Sequence, residues 1–465
     1  MSGNQGQQLS SSGKINELVE GLVREVQKLS EGIKGVRPPQ PENEIKFAGL
    51  IDKTNQLRGR PLFYNYVGSG IGRGPYVELE DGSVKLDLIN GIGIHIMGHS
   101  HPQVIKGTLK GALSDIVMQG HLEPNTEYGK LSAKLVELAK KNSRLRHVWL
   151  TTCGTMANEN ALKIVRQKKT PARMIITFKD EFAGRSTMMA EITDNPAFKQ
   201  GLPEYHEVLR IPFCNKFDDS VCGKACHKDR VVAQLKEYVA QHENNISCFV
   251  FEPMLGEGGY RTACREFFPA ILGFLKERKI PIWADEIQTF TRTGNFFAYE
   301  TYGFGDFVDV CTIAKTAQVG ATFYTEEFNP KPGLIAGTFA GSTAAMSAGL
   351  AIIEELESGG YMGPGGKVDK IHKEFVGMLN RLNETTCKGL LRDAGGLGLM
   401  VAVTPLDGTQ PKQQQLLKTL FKNGLIAFGC GRNPYRLRFL IPAIMKSEDI
   451  AVAEKIIEQS VQECV

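Results

Sequence analysis

Short apolar runs alternate with longer stretches of helical periodicity through the middle of the chain. Residues 147–152, 174–178, 247–251, 281–284 and 308–313 are runs of the first kind, and 230–242 and 265–278 have the spacing of helices between them. A helix of about 155–167 follows the first run, directly after Gly154. Strands apolar on both faces belong to sheets covered by helices on both sides. The pattern therefore predicts an α/β protein, with a large domain built on a mostly parallel sheet flanked by helices.

The two ends of the chain read differently. Residues 1–13 are polar and read as disordered, whereas 14–30 place Ile15, Leu18, Val19, Leu22, Val26 and Leu29 on one helical face. A Gly/Pro linker, 32–41, follows. That helix is expected to pack on its own body or on a partner subunit, because its polar face carries both acids and bases. Beyond a long helix at 344–357, strands at 397–403 and 437–440 lie between amphipathic helices, and Ser447 is placed as the cap of the last one, with Glu448 and Asp449 complementing its dipole. The expected division is a tail and amphipathic helix (1–44), a segment joining the small domain (45–90), a large domain (91–344) and a smaller α+β domain (345–465).

Composition narrows the class without choosing a function. The 465 residues are 42% hydrophobic and 23% charged, and 55 basic against 51 acidic side chains leave a formal charge of +4. That is ordinary for a globular protein and gives no reason to expect nucleic acid as a partner. The N-terminus lacks the apolar stretch of a secretory signal. The uncharged segment 332–353 is too rich in Gly, Ala, Ser and Thr for a spanning helix, which needs about 20 predominantly apolar residues; it reads as a buried loop running into a packed helix. The ten cysteines are scattered, which suits free thiols in a reducing cytoplasm. Cys214, Cys222, Cys226 and His227 lie within fourteen residues but lack the paired Cys-x-x-Cys form of zinc sites, so no metal is assigned.

The apolar run 280–284 ends in Asp285-Glu286, and the run 308–314 ends in Lys315. Ligands of open α/β sheets bind at the carboxyl ends of the strands. A buried carboxylate and a buried lysine there suit a cofactor with a basic ring nitrogen and an aldehyde, and pyridoxal phosphate fits that description. Asp285 would keep the ring nitrogen protonated, and Lys315 would bind the aldehyde as a Schiff base and shuttle a proton. A plain buried salt bridge explains the same pair.

Three other clusters bear on the choice. Gly154 and Thr155 open a helix after a strand, where free N–H groups make an anion site, although an ordinary glycine turn has the same look. Phe182 and Arg185 suit a flat cofactor and a substrate carboxylate, or else a core phenylalanine and a surface arginine. Glu252 and Glu257 stand in a glycine-rich loop after a strand, where one acid may serve only to anchor the loop.

Rival motifs fail on context. No G-x-x-x-x-G-K-[ST] is present. Gly68 to Gly74 is followed by a strand-like alternation and not by the helix of a dinucleotide site. The segment Gly98-His99-Ser100-His101-Pro102 lacks the last glycine of a nucleophile elbow, and with no acidic or cysteine residue close by in sequence it reads as a turn before a helix.

Together these residues resemble the class III aminotransferases among fold-type I pyridoxal phosphate enzymes, from about Phe47 to the C-terminus. The landmarks occur in the family's order: Asp81-Gly82, Leu86-Asp87, Gly98-His99-Ser100-His101-Pro102, Gly154-Thr155, Phe182-x-Gly184-Arg185, Glu252-Pro253, Gly256-Glu257-Gly258-Gly259, Asp285-Glu286-Ile287-Gln288, Lys315, Gly337-Thr338-Phe339, Arg438 and Pro442. The resemblance implies roles at matching positions. Lys315 is expected to be the Schiff-base lysine and Asp285 the partner of the ring nitrogen. Gln288 would contact the ring hydroxyl, Phe182 would cover the ring, and Gly154 and Thr155 would hold the phosphate, with Glu252 grouped among the cofactor-binding residues. Thr338 would reach the phosphate of a neighbouring subunit, which implies a homodimer with shared sites. Arg438 is expected to take a substrate α-carboxylate, Glu257 to pair with it when an ω-amine occupies the site, and Arg185 to grip the distal carboxylate of 2-oxoglutarate. The implied reaction moves an amino group from an ω-amino donor to 2-oxoglutarate, giving an aldehyde and glutamate.

Four departures from the family pattern alter the expected lining of the pocket: Cys153, Met156, Ala183 and Leu255. A decarboxylase or aminomutase would need the same Lys315 and Asp285, and a non-catalytic relative would have no reason to keep them. Acetylornithine, ornithine, lysine and 4-aminobutyrate all remain open as donors.

Overall fold

In the computed structural model, which describes residues 3–115, 118–214 and 228–465, the apolar runs assemble into one seven-stranded sheet. Its spatial order is His147–Thr151, Gly320–Tyr324, Val310–Ile313, Ile282–Asp285, Ile246–Phe251, Met174–Phe178 and Val208–Ile211. All ladders are parallel except the two made by Gly320–Tyr324, which is antiparallel to both neighbours.

The continuous apolar runs arise because both faces are covered. Alternate side chains point to opposite faces, so Phe178, Phe249 and Phe251 join one core with Phe267 and Phe268 of the helix Phe267–Glu277. Ile175, Cys248, Val250 and Trp283 join the other, against Ala161, Ile164 and Val165 of the helix Gly154–Lys169. Inside the sheet, Trp283 Nε1 donates to Thr312 Oγ1 at 3.1 Å.

A third core gathers the C-terminal part of the chain. There an antiparallel sheet in the order Leu391–Leu397, Met400–Pro405, Arg436–Leu440 and Phe428–Cys430 carries the helices Lys367–Glu384, Gln410–Lys422 and Ser447–Gln462. The expected single strand over 397–403 is in fact the corner of a hairpin, with Leu391–Leu397 and Met400–Pro405 turning at Gly398, so its apolar run spans two antiparallel strands. The N-terminal strands Gly68–Arg73, Tyr76–Leu79 and Val84–Asp87 form another sheet, which Leu425–Ile426 joins in parallel.

Several local expectations are corrected. Residues 5–11, read as disordered, form the helix Gln5–Ser11: Asn4 Oδ1 accepts from Gln7 N–H at 2.9 Å, and Gln7 Oε1 accepts from Asn4 N–H at 3.1 Å. The next helix, Gly13–Ser30, turns only part of its apolar face inward. Val19 and Val23 are buried, whereas Leu18, Leu22 and Leu29 are exposed. The linker is not wholly free, since Arg37 bridges Val84 through both backbone groups. Ser447 does not cap the last helix; its hydroxyl donates to Glu374, while Asp449 accepts from Lys446 N–H at 3.0 Å. The loop 332–340 is largely exposed rather than buried, Phe339 included, and only the helix Thr343–Ser358 after it packs as expected. His99 does have an acidic partner: its Nε2 lies 2.9 Å from Asp87 Oδ2, because the strand Val84–Asp87 brings that carboxylate under the turn.

Among the described residues no group of His, Cys, Asp and Glu could hold a metal ion, and no helix is long and apolar enough to cross a membrane. Cys214 is buried; Cys222, Cys226 and His227 lie outside the described residues.

Candidate active site

Five parallel strands deliver their next residues to one edge of the sheet. Cys153 to Thr155 follow the first strand, Glu181 and Phe182 follow Met174–Phe178, Glu252 follows Ile246–Phe251, Asp285 closes its own strand, and Lys315 follows Val310–Ile313. They surround a cavity of about 340 Å³ whose wall includes Gly154, Thr155, Phe182, Glu252, Asp285, Gln288 and Lys315. Seven of the sequence-predicted residues thus meet in one place.

Asp285 is held from two sides. Its Oδ1 accepts from Ile287 N–H at 3.0 Å and its Oδ2 from Asn158 Nδ2 at 2.7 Å. Burial pushes its carboxyl up to about 6, against these bonds and the charge of Lys315. A cation placed beside it would favour the ionised form. The neighbour Glu286 faces the other way along the strand and accepts from Ala298 N–H, Tyr299 N–H and Thr289 Oγ1, so it organises the following loop.

Lys315 sits in the left-handed region at φ 54°, in a tight turn with Gln318 at φ 60°. Such backbone costs roughly 1–3 kcal/mol and persists where surrounding bonds over-determine it. Here Gln318 Nε2 donates to Lys315 O at 3.2 Å and to Ile94 O at 3.1 Å. Burial and then the nearby Arg292 guanidinium lower the Lys315 amine to about 8, opposed by Asp285 and Glu252.

The helix Gly154–Lys169 points its N-terminus at the cavity, and no side chain caps its first turn. Its free amides form an anion cradle. A Cβ at Gly154 would stand 2.9 Å from Ile287 Cδ1, so only glycine keeps the cradle open. Gly184, at φ +132°, lets Thr155 Oγ1 approach to where a Cβ would lie 2.6 Å away. Glu252 ties the loops together: its Oε1 accepts from Phe182 N–H and its Oε2 from Gly256 N–H, both at 3.0 Å. Burial, then Asp285, pushes its carboxyl up to about 8.

The cavity fits pyridoxal phosphate by the chemistry of its walls. Gln288 Oε1 is buried without a hydrogen-bond partner, on the wall where the ring hydroxyl would need an acceptor. The uncapped amides suit a phosphate, Asp285 a ring nitrogen and Lys315 an aldehyde.

The expected substrate residues lie outside this lining. Arg438, on the strand Arg436–Leu440, is fully buried and pairs with Glu257 at 2.7 Å, which raises its basicity further. Its Nε and Nη1 have no hydrogen-bond partner. Arg185 is exposed and stacks over the Phe198 ring at 3.6 Å, and Phe198 in turn meets Phe182 edge-on. Thr338 is exposed in the surface loop beside Gly120 and does not line its own chain's cavity. Of the four departures, Cys153 and Ala183 line the cavity, whereas Met156 and Leu255 do not.

Three participants escape a reading of the sequence. Asn158 lies one helical turn beyond Gly154, so i,i+4 spacing was the available signal. Glu181 immediately precedes Phe182, but nothing in its neighbours distinguishes it from a surface acid. Arg292, fully buried, donates to the Gln288, Phe290 and Gly93 carbonyls, partners that only the folded loop reveals.

The fold and the cavity define a pyridoxal phosphate-dependent transferase scaffold. Solved structures share it: a lysine aminotransferase from M. tuberculosis superposes with a TM-score of 0.79 at 20% identity, covering 89% of this chain and 100% of that one. An ornithine aminotransferase from Toxoplasma gondii ME49 gives 0.77 at 19% identity, covering 90% and 95%. Among sequence relatives, a probable 4-aminobutyrate aminotransferase of Bacillus subtilis is 28% identical, covering 80% of this chain and 88% of that protein. An acetylornithine aminotransferase of Gloeobacter violaceus is 29% identical, covering 83% and 91%. Residues 65–461 match the family described as aminotransferase class-III, and the chain belongs to that family. It is accordingly a pyridoxal phosphate-dependent aminotransferase.

Proposed function

We propose that the protein transfers an amino group from an ω-amino donor to 2-oxoglutarate, releasing an aldehyde and glutamate. The observation that carries this reading is the Glu257–Arg438 pair at 2.7 Å. An unpaired buried arginine is costly. A donor that brings no α-carboxylate to Arg438 leaves Glu257 in place, whereas glutamate or 2-oxoglutarate displaces it and supplies its own carboxylate. Arg185 is the candidate for the distal carboxylate of the five-carbon acid, moving from its stack on Phe198.

Bound pyridoxal phosphate supplies an aldehyde and an electron-withdrawing ring. The protein's part is then positional and protolytic. Gly154, Thr155 and the helix amides would anchor the phosphate, Gln288 Oε1 would accept from the ring hydroxyl, and Phe182 would cover the ring. Asp285, fixed by Asn158 and Ile287, would keep a proton on the ring nitrogen. Lys315 Nζ would provide the amine for the aldehyde and the base for the proton at the donor carbon. Glu252 keeps the Phe182 and Gly256 loops against the cavity.

We also propose a homodimer in which Thr338 reaches the partner's phosphate site; the exposed Thr338–Phe339 loop supports this. A reducing cytoplasm is the compartment we expect. The test is a donor panel with 2-oxoglutarate, following glutamate. Glutamate should form with ω-amines, borohydride should bleach the yellow colour and tag Lys315, and Lys315→Ala should abolish turnover with its circular dichroism unchanged. Carbon dioxide release without glutamate would overturn amino transfer.

A further inference from the structure

Among the described residues three arginines are fully buried: Arg292, Arg436 and Arg438. Two of them are locked by backbone. Arg292 donates to the Gln288, Phe290 and Gly93 carbonyls, and Arg436 to those of Gly259, Ala402 and Asp393. Arg438 is held differently. Its Nε and Nη1 have no hydrogen-bond partner, and its ionic partner is Glu257 at 2.7 Å, whose side chain is 30% exposed.

The rest of its charge faces aromatic rings. The Arg438 Cζ lies over the Phe428 ring at 5.4 Å from the centroid and over the Tyr260 ring at 5.9 Å. Both are within the roughly 6 Å at which a ring face attracts a cation. The backbone places each ring. Phe428 stands directly across from Arg438 where the strands Phe428–Cys430 and Arg436–Leu440 pair, so the two side chains share a face of that sheet. Tyr260 is fully buried and sits in the left-handed region at φ 53°, uncommon for a bulky residue, in a turn closed by its N–H donating to Leu255 O at 2.9 Å. That turn also carries Glu257, whose carbonyl accepts from Gly431 N–H at 2.8 Å, so the loop and the Phe428 strand are tied together.

A carbonyl and a ring face hold an arginine with different consequences. Each carbonyl occupies an N–H donor, whereas a ring face attracts the charge and leaves the donors unspent. An arginine held by rings can therefore trade one carboxylate for another without losing its place. We propose that Tyr260 and Phe428 are positioning residues for the acid substrate: their ring faces keep Arg438 fixed while Glu257 leaves and the α-carboxylate of glutamate or 2-oxoglutarate arrives. Neither touches the reacting atoms. The inference rests on the proposed role of Arg438 in amino transfer and deepens it, because only the acid half-reaction requires the exchange and only that half should depend on the rings.

The test uses the cofactor-loaded enzyme and the variants Tyr260→Leu, Phe428→Leu and Tyr260→Phe. Calorimetry measures binding of 2-oxoglutarate with no amine present. Stopped-flow absorbance then follows the half-reactions with glutamate and with 4-aminobutyrate separately. Each leucine variant should bind 2-oxoglutarate at least tenfold more weakly and raise KM for glutamate in step, with kcat within about threefold. Its effect on KM for 4-aminobutyrate should be at least fivefold smaller. Tyr260→Phe keeps the ring and should stay within twofold of the wild type throughout. Unchanged 2-oxoglutarate binding in either leucine variant would overturn the proposal, and so would Tyr260→Phe being as damaging as Tyr260→Leu. A loss shared equally by both half-reactions, with kcat falling in each, would make the rings mere supports of the loop and overturn it too. Should Tyr260→Leu fail to fold, Phe428→Leu, whose ring is only half-buried, decides alone. A wild type that forms no glutamate from 4-aminobutyrate would count against the donor assignment, and 2-oxoglutarate binding, which needs no donor, would still decide here.

Discussion

Replacing Glu257 by alanine tests whether the buried arginine is a switch between two kinds of substrate. Arg438 is 0% exposed and the Glu257 side chain 30%, with 2.7 Å between them. Removing one member of a buried pair costs about 3–5 kcal/mol. The partial exposure of Glu257 lowers this to about 1.5–3 kcal/mol, since water screens the open side. With an ω-amine bound, nothing else neutralises Arg438, so that half-reaction should lose about ten- to a hundredfold in kcat/KM at about 1.4 kcal/mol per tenfold. Glutamate brings its own carboxylate and no longer has to displace Glu257, so its half-reaction should be unchanged or faster. Stopped-flow absorbance of the bound cofactor, with each substrate alone, reads the two separately. A loss shared equally by both half-reactions would refute the switch and make Glu257 a support of the loop.

Three further outcomes follow from the same geometry. With its amine lowered to about 8, about a tenth of Lys315 is neutral at pH 7, against roughly 0.04% for an unperturbed lysine near 10.4; uptake of pyridoxal phosphate by the apoenzyme should rise about tenfold per pH unit and level off near pH 8, and a rise continuing beyond pH 9.5 would contradict the reading. Gly154→Ala, whose Cβ would meet Ile287 Cδ1 at 2.9 Å, should weaken cofactor binding by about tenfold or more, an expectation set by the 1–3 kcal/mol of overpacking; equilibrium titration of the apoenzyme measures it. Asp285, Glu286 and Glu252 have folded-state values raised to about 6, 7 and 8, so their contribution to stability is full below about pH 4 and is lost as pH rises to about 8; apoenzyme Tm should fall across that window, less steeply in Glu252→Gln, and a Tm that rises from pH 5 to 8 would reverse the sign of the argument.

The strand ends were legible in the sequence because the sheet is buried on both faces. A strand covered on both sides must be apolar throughout, so the first charge after 280–284 or 308–314 marks where the chain leaves the sheet, and Asp285 and Lys315 fall there. The hairpin at Gly398 was not legible, since 397–403 is as apolar as a single strand and only the antiparallel register distinguishes the two. The surface loop around Thr338 misled for the opposite reason: a lack of charge suggested burial, yet Phe339 is 56% exposed in the single chain. An uncharged, glycine-rich loop that stays exposed is what a subunit contact would cover.

A cavity of about 400 Å³ behind the segment that carries Phe182 was beyond reach of sequence because its wall is assembled from Asp180-Glu181, Asp194, Glu257 and the C-terminal segment 410–435, segments with no common periodicity. Glu252 spends both oxygens on backbone amides and Asp285 spends both on Ile287 and Asn158, so neither can share a proton cheaply with Glu181. A cofactor ring nitrogen can balance Asp285, and Lys315 stands near both Asp285 and Glu252. For Glu181 the opposing charge is that of Arg210, which is also paired with Asp194 at 3.1 Å. Glu181 therefore draws its compensation from outside the cofactor cavity, whereas Asp285 and Glu252 draw theirs from Lys315 inside it.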